Sequence, residues 1–513
     1  MARELSASGA SVGKRVVLMT CGSRGDIQPF VALASGLTRF GFRTLILTDA
    51  NHVEFVKSFG LDVAEVTPDT EHLIRNTPGL LECMIKGNWL RFVKIIGELL
   101  IKLFPENMRR TMSAIEDFRP DMLLASELTF VLASAIGASR GIPVIKCDLF
   151  GFVPTGFAPS LLNEPAWMPA WVHRAFNRIC EFETLKGDRI GKHGCIAELC
   201  PTAVPCIVKK MEQLDIATEF WPAPLLIASS AFVCERSRDW APDVVLTGHW
   251  VIDASKWDTR LTHQRDEHPA AGDSDTLQAF LEMGPPPVYI GWGSMICVSS
   301  EFMACTALRA LKLSSMRGVI LGGWARLSME HLRGHPDSDD LIAYATENVL
   351  FLRTAPHEWL LPRCAASVHH GGAGTTAAAL RSGRPTIVTP CGFDQPMQGR
   401  KVVAVGAGLA LPPLADVTPP MLADALRKAT TDSGLIDGAA TIGEALRAED
   451  GVGAAVRFVD DFFSKEVATG AWAERSARLH AKLREYESPS CCTRLAFLCA
   501  KLCTNSVKCL VTM

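Results

Sequence analysis

The segment that most constrains the fold is residues 368–398, which read VHHGGAGTTAAALRSGRPTIVTPCGFDQPMQ. An apolar run ends at Val368, a glycine-rich turn follows, and a second apolar run begins at Thr386 after a stretch of helical length. Strand, glycine turn, helix and strand in this order are typical of a parallel sheet in an α/β protein. We therefore predict that the glycines open a helix whose N-terminus faces a ligand crevice.

The chemistry of this turn favours an anion. Backbone N–H groups at 372–376 would lack partners within the helix, and Gly371, Gly372 and Gly374 carry no side chain to block a phosphate. The following pair, Asp394 and Gln395, offers acceptors and a donor to sugar hydroxyls. Taken alone, the turn fits a helix C-cap or tight loop equally well, and the pair also fits a solvated turn before a proline.

Short apolar runs alternate with helical stretches along most of the chain, in two sets. The first set begins with RVVLMT at 15–20 and includes the runs 121–125, 143–146 and 225–228. The second set begins with VVLTG at Val244 and continues with VYIGWGS, GVILGG, NVLFL, ASVHH and PTIVTP. Because 513 residues exceed what one core usually holds, we predict two doubly wound α/β domains.

The expected domain limits follow from these sets. They are a disordered N-terminus at 1–14, a first domain at 15–233, a linker at 234–243, a second domain at 244–465, and a C-terminal helix with a cysteine-rich tail at 466–513. In the first domain, Pro29 is expected to open the helix PFVALASGLTRF, since proline is favoured at the first helical position.

Composition excludes several functional classes. The chain has 52 Lys and Arg against 55 Asp and Glu, so no strong field favours nucleic acid as a partner. Neither a signal peptide nor an apolar run of membrane-spanning length is recognisable, and we expect a cytoplasmic protein. Its 17 cysteines are scattered as single residues such as Cys21, Cys147, Cys234 and Cys364, which is typical of reduced thiols.

The motifs together resemble one family. The segment 368–398, with GSRGDIQP at 22–29, FVKSFGLDVAEVTPD at 55–69 and residues 231–250, is similar to GT-B glycosyltransferases. The similarity is strongest to the branch that contains sterol and lipid 3-beta-glucosyltransferases and natural-product glycosyltransferases. It implies a family 28 type N-terminal domain for the acceptor and a UDP-glucuronosyl/glucosyltransferase type C-terminal domain for a nucleotide sugar. The two Rossmann-like domains would face each other across a cleft.

The resemblance assigns the general base to Asp26, in the position where many related enzymes carry a histidine. A carboxylate in a dry crevice has a raised pKa and accepts an alcohol proton more readily. The competing interpretation is that Asp26 only caps the helix expected to begin at Pro29. Related enzymes often orient their base with a second acid, for which Glu127 and Asp148 are candidates, although either fits a loop or cap equally well.

On the donor side, the resemblance implies roles position by position. His370 would contact the diphosphate, the strand end at Ser294 would add a hydroxyl, and the Pro356–His357 backbone would read the base. The remaining donor-binding positions it implies are Gly372, Thr375 and Thr376 around the phosphates and Asp394 and Gln395 at the sugar. A histidine there can donate a hydrogen bond or, if protonated, supply a charge. His369 fits a structural role and a functional role equally.

Some positions depart from the family pattern. Thr354 replaces a tryptophan that lies under the nucleotide base in the family, and Ala378 replaces a ribose-binding glutamate. The segment PCGFDQPMQG replaces the usual PFFGDQPFWG. The sterol-enzyme relatives share GAGTTAAAL, so we expect a UDP-sugar co-substrate but do not assign the sugar. The acidic triplets DSD at 273–275 and 337–339 lie in polar stretches, and a helix-end phosphate site removes the need for a cation. No metal or other cofactor is expected.

The acceptor is expected to be an apolar small molecule. The region 80–115 is rich in Leu, Ile, Phe and Met around Trp89, and Phe150 and Phe152 lie in a second candidate segment. Apolar side chains in these stretches fit the protein core as well as a pocket. The tail at 488–513 places cysteines on one face of a basic helix, which fits either peripheral membrane contact or a disordered end.

The sequence therefore predicts an inverting hexosyltransferase that moves a hexose from a UDP-sugar to a sterol, terpenoid or other lipid hydroxyl, and the resemblance implies that this hexose is glucose. The first alternative is a natural-product glycosyltransferase that uses another nucleotide sugar. A sugar-nucleotide epimerase, or a non-catalytic relative that binds lipid or nucleotide, is the second alternative.

Overall fold

The computed structural model describes residues 11–150, 223–238, 240–252 and 274–485. Within these ranges the chain forms two parallel β-sheets with helices packed on them, which confirms the predicted α/β class with two Rossmann-like domains. Phe152, residues 1–10 of the N-terminus predicted to be disordered over 1–14, and the cysteine-rich tail lie outside the described residues. Of the cysteines cited above, Cys147, Cys234 and Cys364 are buried free thiols and Cys21 is half-buried.

The first sheet has the strand order β3-β2-β1-β4-β5-β6-β7, and all of its pairings are parallel. Its strands are β1 Arg15–Met19, β2 Arg43–Asp49, β3 Asp62–Thr67, β4 Met122–Ser126, β5 Val144–Asp148, β6 Leu225–Ile227 and β7 Val244–Leu246. The central strands are almost fully buried, as expected of a sheet covered on both faces.

The second sheet has the order β10-β9-β8-β11-β12-β13 and is also parallel. Its strands are β8 Val288–Gly291, β9 Gly318–Leu321, β10 Val349–Leu352, β11 Ala366–His369, β12 Thr386–Val388 and β13 Gly408–Ala410. The glycine-rich turn follows β11 directly, so it lies at the carboxyl edge of a central strand.

Helices connect the strands and cover both sheets. In the first half they are α1 Arg24–Phe40, α2 Val53–Lys57, α3 Thr70–Asn76, α4 Leu80–Ile85, α5 Trp89–Phe118 and α6 Phe130–Arg140. In the second half they are α7 Ser274–Glu282, α8 Ser300–Ser314, α9 Ser338–Asn348, α10 His357–Leu360, α11 Ala373–Ser382, α12 Gln395–Ala404, α13 Pro419–Thr431, α14 Ser433–Ala448, α15 Gly451–Phe462 and α16 Ala471–Glu485. None of the helices in the described ranges has the length and apolarity that crossing a membrane requires.

The prediction that VVL at 244–246 opens the second sheet is wrong. Val244, Val245 and Leu246 pair with Leu225, Leu226 and Ile227, so β7 completes the edge of the first sheet. Later, α15 returns to the first domain and packs on α1, where a Cβ on Gly36 would lie 2.4 Å from Val452 Cγ1. Short apolar runs carry no information about which sheet they join, which is why the sequence pattern misplaced this strand.

The expectation that Pro29 opens the first helix is also wrong. The helix begins five residues earlier, at Arg24, with Ser23 as its N-cap and Pro29 inside it. A capping box between Ser23 and Asp26 satisfies donors of the first turn, and this local chemistry outweighs the preference of proline for a helix start.

One helix joins the two domains. The far end of α5 packs under the first sheet through Phe104, Met108 and Met112. Its near end carries Phe92 into the hydrophobic core of the second sheet, together with Leu80 from α4. The segment from α3 to α5 therefore leaves the first domain, contacts the second, and forms one wall of the space between the sheets.

Candidate active site between the two sheets

A cavity of about 1750 Å³ lies between the carboxyl edges of the two sheets. This is the position at which open parallel sheets bind ligands. It is lined by these predicted site residues: Asp26, Glu127, Asp148, Phe150, Ser294, Pro356, His357, His370, Gly372, Thr375, Asp394 and Gln395. The described lining does not include Trp89 or Thr376.

Asp26 lies in the first turn of α1 and faces this cavity. The backbone N–H of Ser23 donates to its Oδ2 at 2.7 Å, and the Ser23 hydroxyl donates to the same oxygen at 2.9 Å. Burial raises the pKa of the Asp26 carboxyl, and the two Ser23 hydrogen bonds oppose that rise. Asp26 therefore does close a helix cap, but through one oxygen, so the cap and a role as base are compatible.

The turn that carries Asp26 is held by two residues that the sequence analysis did not identify, one at the end of β2 and one just after it. The Gly22 N–H donates to Asp49 Oδ2 at 2.6 Å, and His52 Nε2 bonds the Gly22 carbonyl at 3.1 Å. Gly22 has φ 124°, and a Cβ there would lie 2.6 Å from Asp26 Oδ2. Only glycine fits this position, because the Asp26 carboxylate packs directly on its Cα. The available signal was an aspartate at the end of the apolar strand TLILTD.

The two candidate partners of the base form a separate acidic group. Glu127 makes an ion pair with Lys146 at 2.6 Å, and Asp148 accepts a hydrogen bond from the Phe150 N–H at 2.6 Å. Burial, followed by the nearby Glu127 charge, raises the pKa of Asp148 to about 6. The Asp26 charge instead adds to burial in raising the pKa of Asp49 and of Asp394, each to about 6. The charge of Asp26 thus acts on Asp49 and Asp394, whereas the predicted partner Asp148 responds to the charge of Glu127.

The glycine turn places the N-terminus of α11 at the cavity. The helix begins at Ala373 with Gly372 as its N-cap, and Thr375 lines the cavity. Thr376 instead directs both its N–H and its hydroxyl to the Gly372 carbonyl, at 2.8 and 2.9 Å. A Cβ on Gly374 would lie 3.7 Å from the backbone of Gly25 in α1. Two helix N-termini therefore meet here, and both present partial positive charge.

The histidines of the donor side are neutral at pH 7. Burial lowers the pKa of both His357 and His370 to about 4. His370 lies between Gly293 and Gly372, and its buried Nδ1 has no hydrogen-bond partner among the described residues. His369 accepts the Gly371 N–H at Nδ1 over 3.0 Å, which favours the structural role for this residue. His370 is therefore equipped to give a hydrogen bond rather than a charge.

Arg24 is a cation of this cavity that the sequence analysis overlooked, although it lies within GSRGDIQP. Its guanidinium stacks on the Phe55 ring at 3.3 Å from the centroid. Burial lowers its pKa to about 10, so it keeps its charge at pH 7. Its charge also contributes to lowering the pKa of His357, so Arg24 acts on the predicted donor side of the cavity.

Asp394 and Gln395, the pair predicted to bind the sugar, are held in place by hydrogen bonds within their own loop and helix. Asp394 is the N-cap residue of α12 and accepts a hydrogen bond from Gln398 Nε2 at 3.4 Å. The Oε1 of Gln395 accepts the N–H groups of Cys391 and Gly392 at 2.7 and 3.0 Å. Its amide NH₂ is then the group available to a ligand, and the Asp394 carboxylate supplies the complementary acceptor.

Part of the cavity lining is apolar. In addition to Phe150, it includes Ile74, Met84, Phe92 and Met295, which the sequence analysis did not single out and which belong to one hydrophobic cluster. Trp89 lies behind this wall, with its ring centroid 5.7 Å from that of Phe92 and 4.3 Å from that of Phe393. These apolar side chains therefore line the same cavity as the carboxylate of Asp26.

Two known domain families match the chain. Residues 16–145 match the glycosyltransferase family 28 N-terminal domain. Residues 334–451 match the C-terminal domain of erythromycin biosynthesis protein CIII-like proteins. The first match contains Asp26, and the second contains the glycine turn and the Asp394–Gln395 pair.

Among curated proteins, the chain is similar to a sterol 3-beta-glucosyltransferase of Arabidopsis thaliana. The two are 29% identical over 462 residues, which cover 86% of this chain and 64% of the relative. A sterol 3-beta-glucosyltransferase of Candida albicans is 26% identical over 461 residues, covering 88% of this chain and 28% of the relative. The chain thus spans less than two thirds of the length of either protein.

Among solved structures, the chain resembles the calicheamicin glycosyltransferase CalG4 with a TM-score of 0.59 and 16% identity, covering 88% of this chain and 98% of that one. The kitacinnamycin glycosyltransferase gives a TM-score of 0.57 and 20% identity, covering 87% and 98%. The glycosyltransferase VinC, solved in complex with DTDP, gives a TM-score of 0.53 and 18% identity, covering 87% of this chain and 99% of that one. These similarities show a shared two-domain fold.

Proposed function

We propose that the chain is an inverting hexosyltransferase of the GT-B type, because it matches a family 28 N-terminal domain and an EryCIII-like C-terminal domain. It would move glucose from UDP-glucose to the hydroxyl of an apolar acceptor such as a sterol, a terpenoid or another lipid. The observation that carries this proposal is the placement of Asp26 beside two converging helix N-termini, with an apolar wall in the same cavity.

In this mechanism Asp26 takes the proton of the acceptor hydroxyl. Both Ser23 hydrogen bonds use Oδ2, so Oδ1 is the oxygen assigned to the proton. The acceptor oxygen attacks the anomeric carbon from one face while the bond from that carbon to the diphosphate oxygen breaks on the other. An α-linked donor then gives a β-glycoside and a nucleoside diphosphate.

The leaving diphosphate gains negative charge as this bond breaks. The N–H groups at the start of α11, the facing end of α1 and the Arg24 guanidinium supply the stabilising charge in the proposed site. His370 adds a neutral hydrogen bond, since its pKa is about 4. The carboxylate of Asp394 and the amide of Gln395 would hold the sugar hydroxyls.

No metal ion or other cofactor is part of the proposed mechanism. Among the described residues, no group of three or more His, Cys, Asp or Glu side chains is arranged to hold a metal. In the triplet at 337–339, Asp337 is bound by Arg309 through both carboxylate oxygens, at 2.8 and 2.7 Å. The negative charge of the donor would be met by helix ends and Arg24 instead.

The sterol acceptor is proposed from the relatives, which are named sterol 3-beta-glucosyltransferases, and from the apolar lining. A natural-product glycosyltransferase with another nucleotide sugar is the second candidate. Ala378 lines the cavity where a ribose-binding glutamate is expected, and structural neighbours were solved with thymidine diphosphate.

The deciding experiment incubates the purified chain with UDP-glucose or TDP-glucose and a panel of sterols and terpenoids. Mass spectrometry would detect the glycoside and the free nucleotide, and NMR would give the anomeric configuration. We expect a β-glycoside, UDP release and full activity in EDTA. A retained configuration or loss of activity in EDTA would contradict the mechanism. Conversion of the donor without glycoside would identify an epimerase, and acceptor binding without nucleotide release would identify a binding protein.

A further inference from the structure

The loop between β12 and α12 contains an unusual backbone. Phe393, which directly precedes Asp394, has φ 55° and so lies in the left-handed region that bulky residues avoid. Its side chain is also 49% exposed, so burial of the ring does not explain the strained conformation. Strain of this kind persists where the surroundings fix it, and it concentrates at functional sites.

The surroundings that fix this loop come from the other domain. The Trp89 ring lies 4.3 Å from the Phe393 ring, with the planes at 50°, and Phe92 completes the cluster at 6.0 Å from Phe393. The same indole lies against Gly392, where a Cβ would be only 2.3 Å from the nearest Trp89 atom. Trp89 therefore occupies the space that any side chain at 392 would need.

The loop is closed on its other side by its own residues. Gln395 Oε1 accepts the N–H groups of Cys391 and Gly392, so the Gln395 side chain and the Trp89 indole both contact the same two-residue stretch. The far end of α5 is anchored in the core of the first domain. A helix anchored in one domain thus holds the loop of the other domain that carries Asp394 and Gln395.

We propose that Trp89, through its contacts with Gly392 and Phe393, is a positioning residue for the donor sugar rather than part of the acceptor wall. This inference rests on the proposed function, because it takes Asp394 and Gln395 as the sugar-binding pair. It makes sugar recognition in one domain depend on a residue of the other. The diphosphate subsite at α11 makes no such contact with Trp89 and is expected to be independent of it.

The kinetic test compares Trp89→Ala, Trp89→Phe and Phe393→Gly with the wild-type chain. Glycine at 393 accepts the left-handed backbone, so Phe393→Gly removes the ring without adding strain. We expect Trp89→Ala and Phe393→Gly to lower kcat/KM for UDP-glucose about tenfold or more, since a small misplacement of reacting groups is costly. The dissociation constant for UDP should stay unchanged, discrimination between UDP-glucose and UDP-galactose should fall, and Trp89→Phe should retain most activity.

Two matched controls separate this role from a general loss of structure. Leu100→Ala shortens another partly exposed apolar side chain of α5, and Ser315→Gly replaces another left-handed residue, at the end of α8. Both should behave as wild type. A rise confined to the acceptor KM in Trp89→Ala, or an equal loss of UDP and UDP-glucose binding, would overturn the inference.

Hydrogen–deuterium exchange gives a readout that does not need activity. In Trp89→Ala the amides of Cys391 and Gly392 should exchange faster, while those of 376–382 in α11 should keep the wild-type rate. Unchanged exchange at 391–392 would refute the contact. If the wild-type chain transfers no sugar but exchange changes as expected, the proposed function fails and the contact itself stands.

Discussion

At the scale of single residues, the structure allows Asp26 to combine the two tasks that the sequence presented as alternatives. Its Oδ2 closes the capping box with Ser23, and its Oδ1 is the oxygen proposed to take the acceptor proton. The Gly22 turn, held by Asp49 and His52, brings the carboxylate to the cavity. The capping role and the catalytic role can therefore be separated by substitution at two different residues.

Replacing Asp26 with Asn should lower kcat about a hundredfold to ten-thousandfold, the usual contribution of a general base. The amide oxygen of Asn can still accept the Ser23 N–H, so the melting temperature should change little. Steady-state kinetics and thermal unfolding of the same preparation provide the measurements.

Ser23→Ala is the matched control, since it removes the hydroxyl that caps α1 and leaves the Asp26 carboxylate in place. Loss of such a cap costs about 1 kcal/mol of stability. We expect lower stability with most of the turnover retained. Full activity in Asp26→Asn would exclude Asp26 as the base.

At the scale of elements, the proposed donor site depends on how closely the turn between β11 and α11 approaches β12 and α12. Gly371 has φ 92°, and a Cβ there would lie 2.8 Å from Val388 Cγ1 and 3.0 Å from the Gln395 carbonyl. The left-handed backbone and the missing side chain are both required at this position. The glycine turn that dominates the sequence is therefore fixed by packing as well as by access for a phosphate.

Gly371→Ala should therefore be far more damaging than alanine at an open left-handed glycine. Gly406, with φ 67° and nothing within 4 Å of an added Cβ, provides that comparison. Gly406→Ala should lower the free energy of unfolding by about 1 kcal/mol, from the left-handed backbone alone. Gly371→Ala should lower it by about 1–3 kcal/mol more, because the new Cβ overlaps Val388 and Gln395.

Calorimetric titration with UDP would complete this comparison. We expect UDP affinity to fall in Gly371→Ala because the N-terminus of α11 is displaced, and to be unchanged in Gly406→Ala. Equal stability and equal UDP affinity of the two variants would contradict the packing argument.

At the scale of the whole molecule, closing two sheets around one cavity buries many ionisable groups. Burial raises the pKa of Asp49, Asp148 and Asp394 to about 6. A carboxyl whose pKa is raised binds its proton more tightly in the folded state than in the unfolded chain. These three groups therefore increase the free energy of unfolding as the pH falls toward about 5. Burial also lowers the pKa of buried histidines to about 4; these are His52, His357 and His370. These histidines lower the free energy of unfolding below about pH 6.5, because they take up protons in the unfolded chain at a higher pH than in the folded one.

The two effects have opposite signs and partly cancel, so the melting temperature should change less between about pH 7 and pH 5 than either set of groups alone would cause. Activity should fall as the pH is lowered, since the base must be ionised and burial raises the pKa of Asp26. A pH profile of kcat/KM measured beside thermal unfolding tests this. A parallel loss of activity and melting temperature would show that unfolding, rather than protonation, causes the decline.

Much of the fold followed from local patterns in the sequence. Short buried strands, each followed by a glycine, a proline or a helix, indicated two parallel sheets, and the turn at 371–374 indicated the helix N-terminus that the structure places at the cavity. These features depend on neighbouring residues, through periodicity, capping and the absence of a Cβ, so they are readable along the chain.

What only the tertiary structure decided depends on contacts between distant segments. Strand β7 joins the first sheet, and α15 returns to pack on α1, although their sequences suit either domain. Trp89 reads as one more apolar residue of a helix, yet it lies against Gly392 more than 300 positions away. The choice of packing partner is set by long-range complementarity of shape, which leaves no local pattern. The sequence by itself thus determined the glycine turn that opens α11 and the carboxylate of Asp26 in the first turn of α1, and the packing of two domains decided which residues share the cavity.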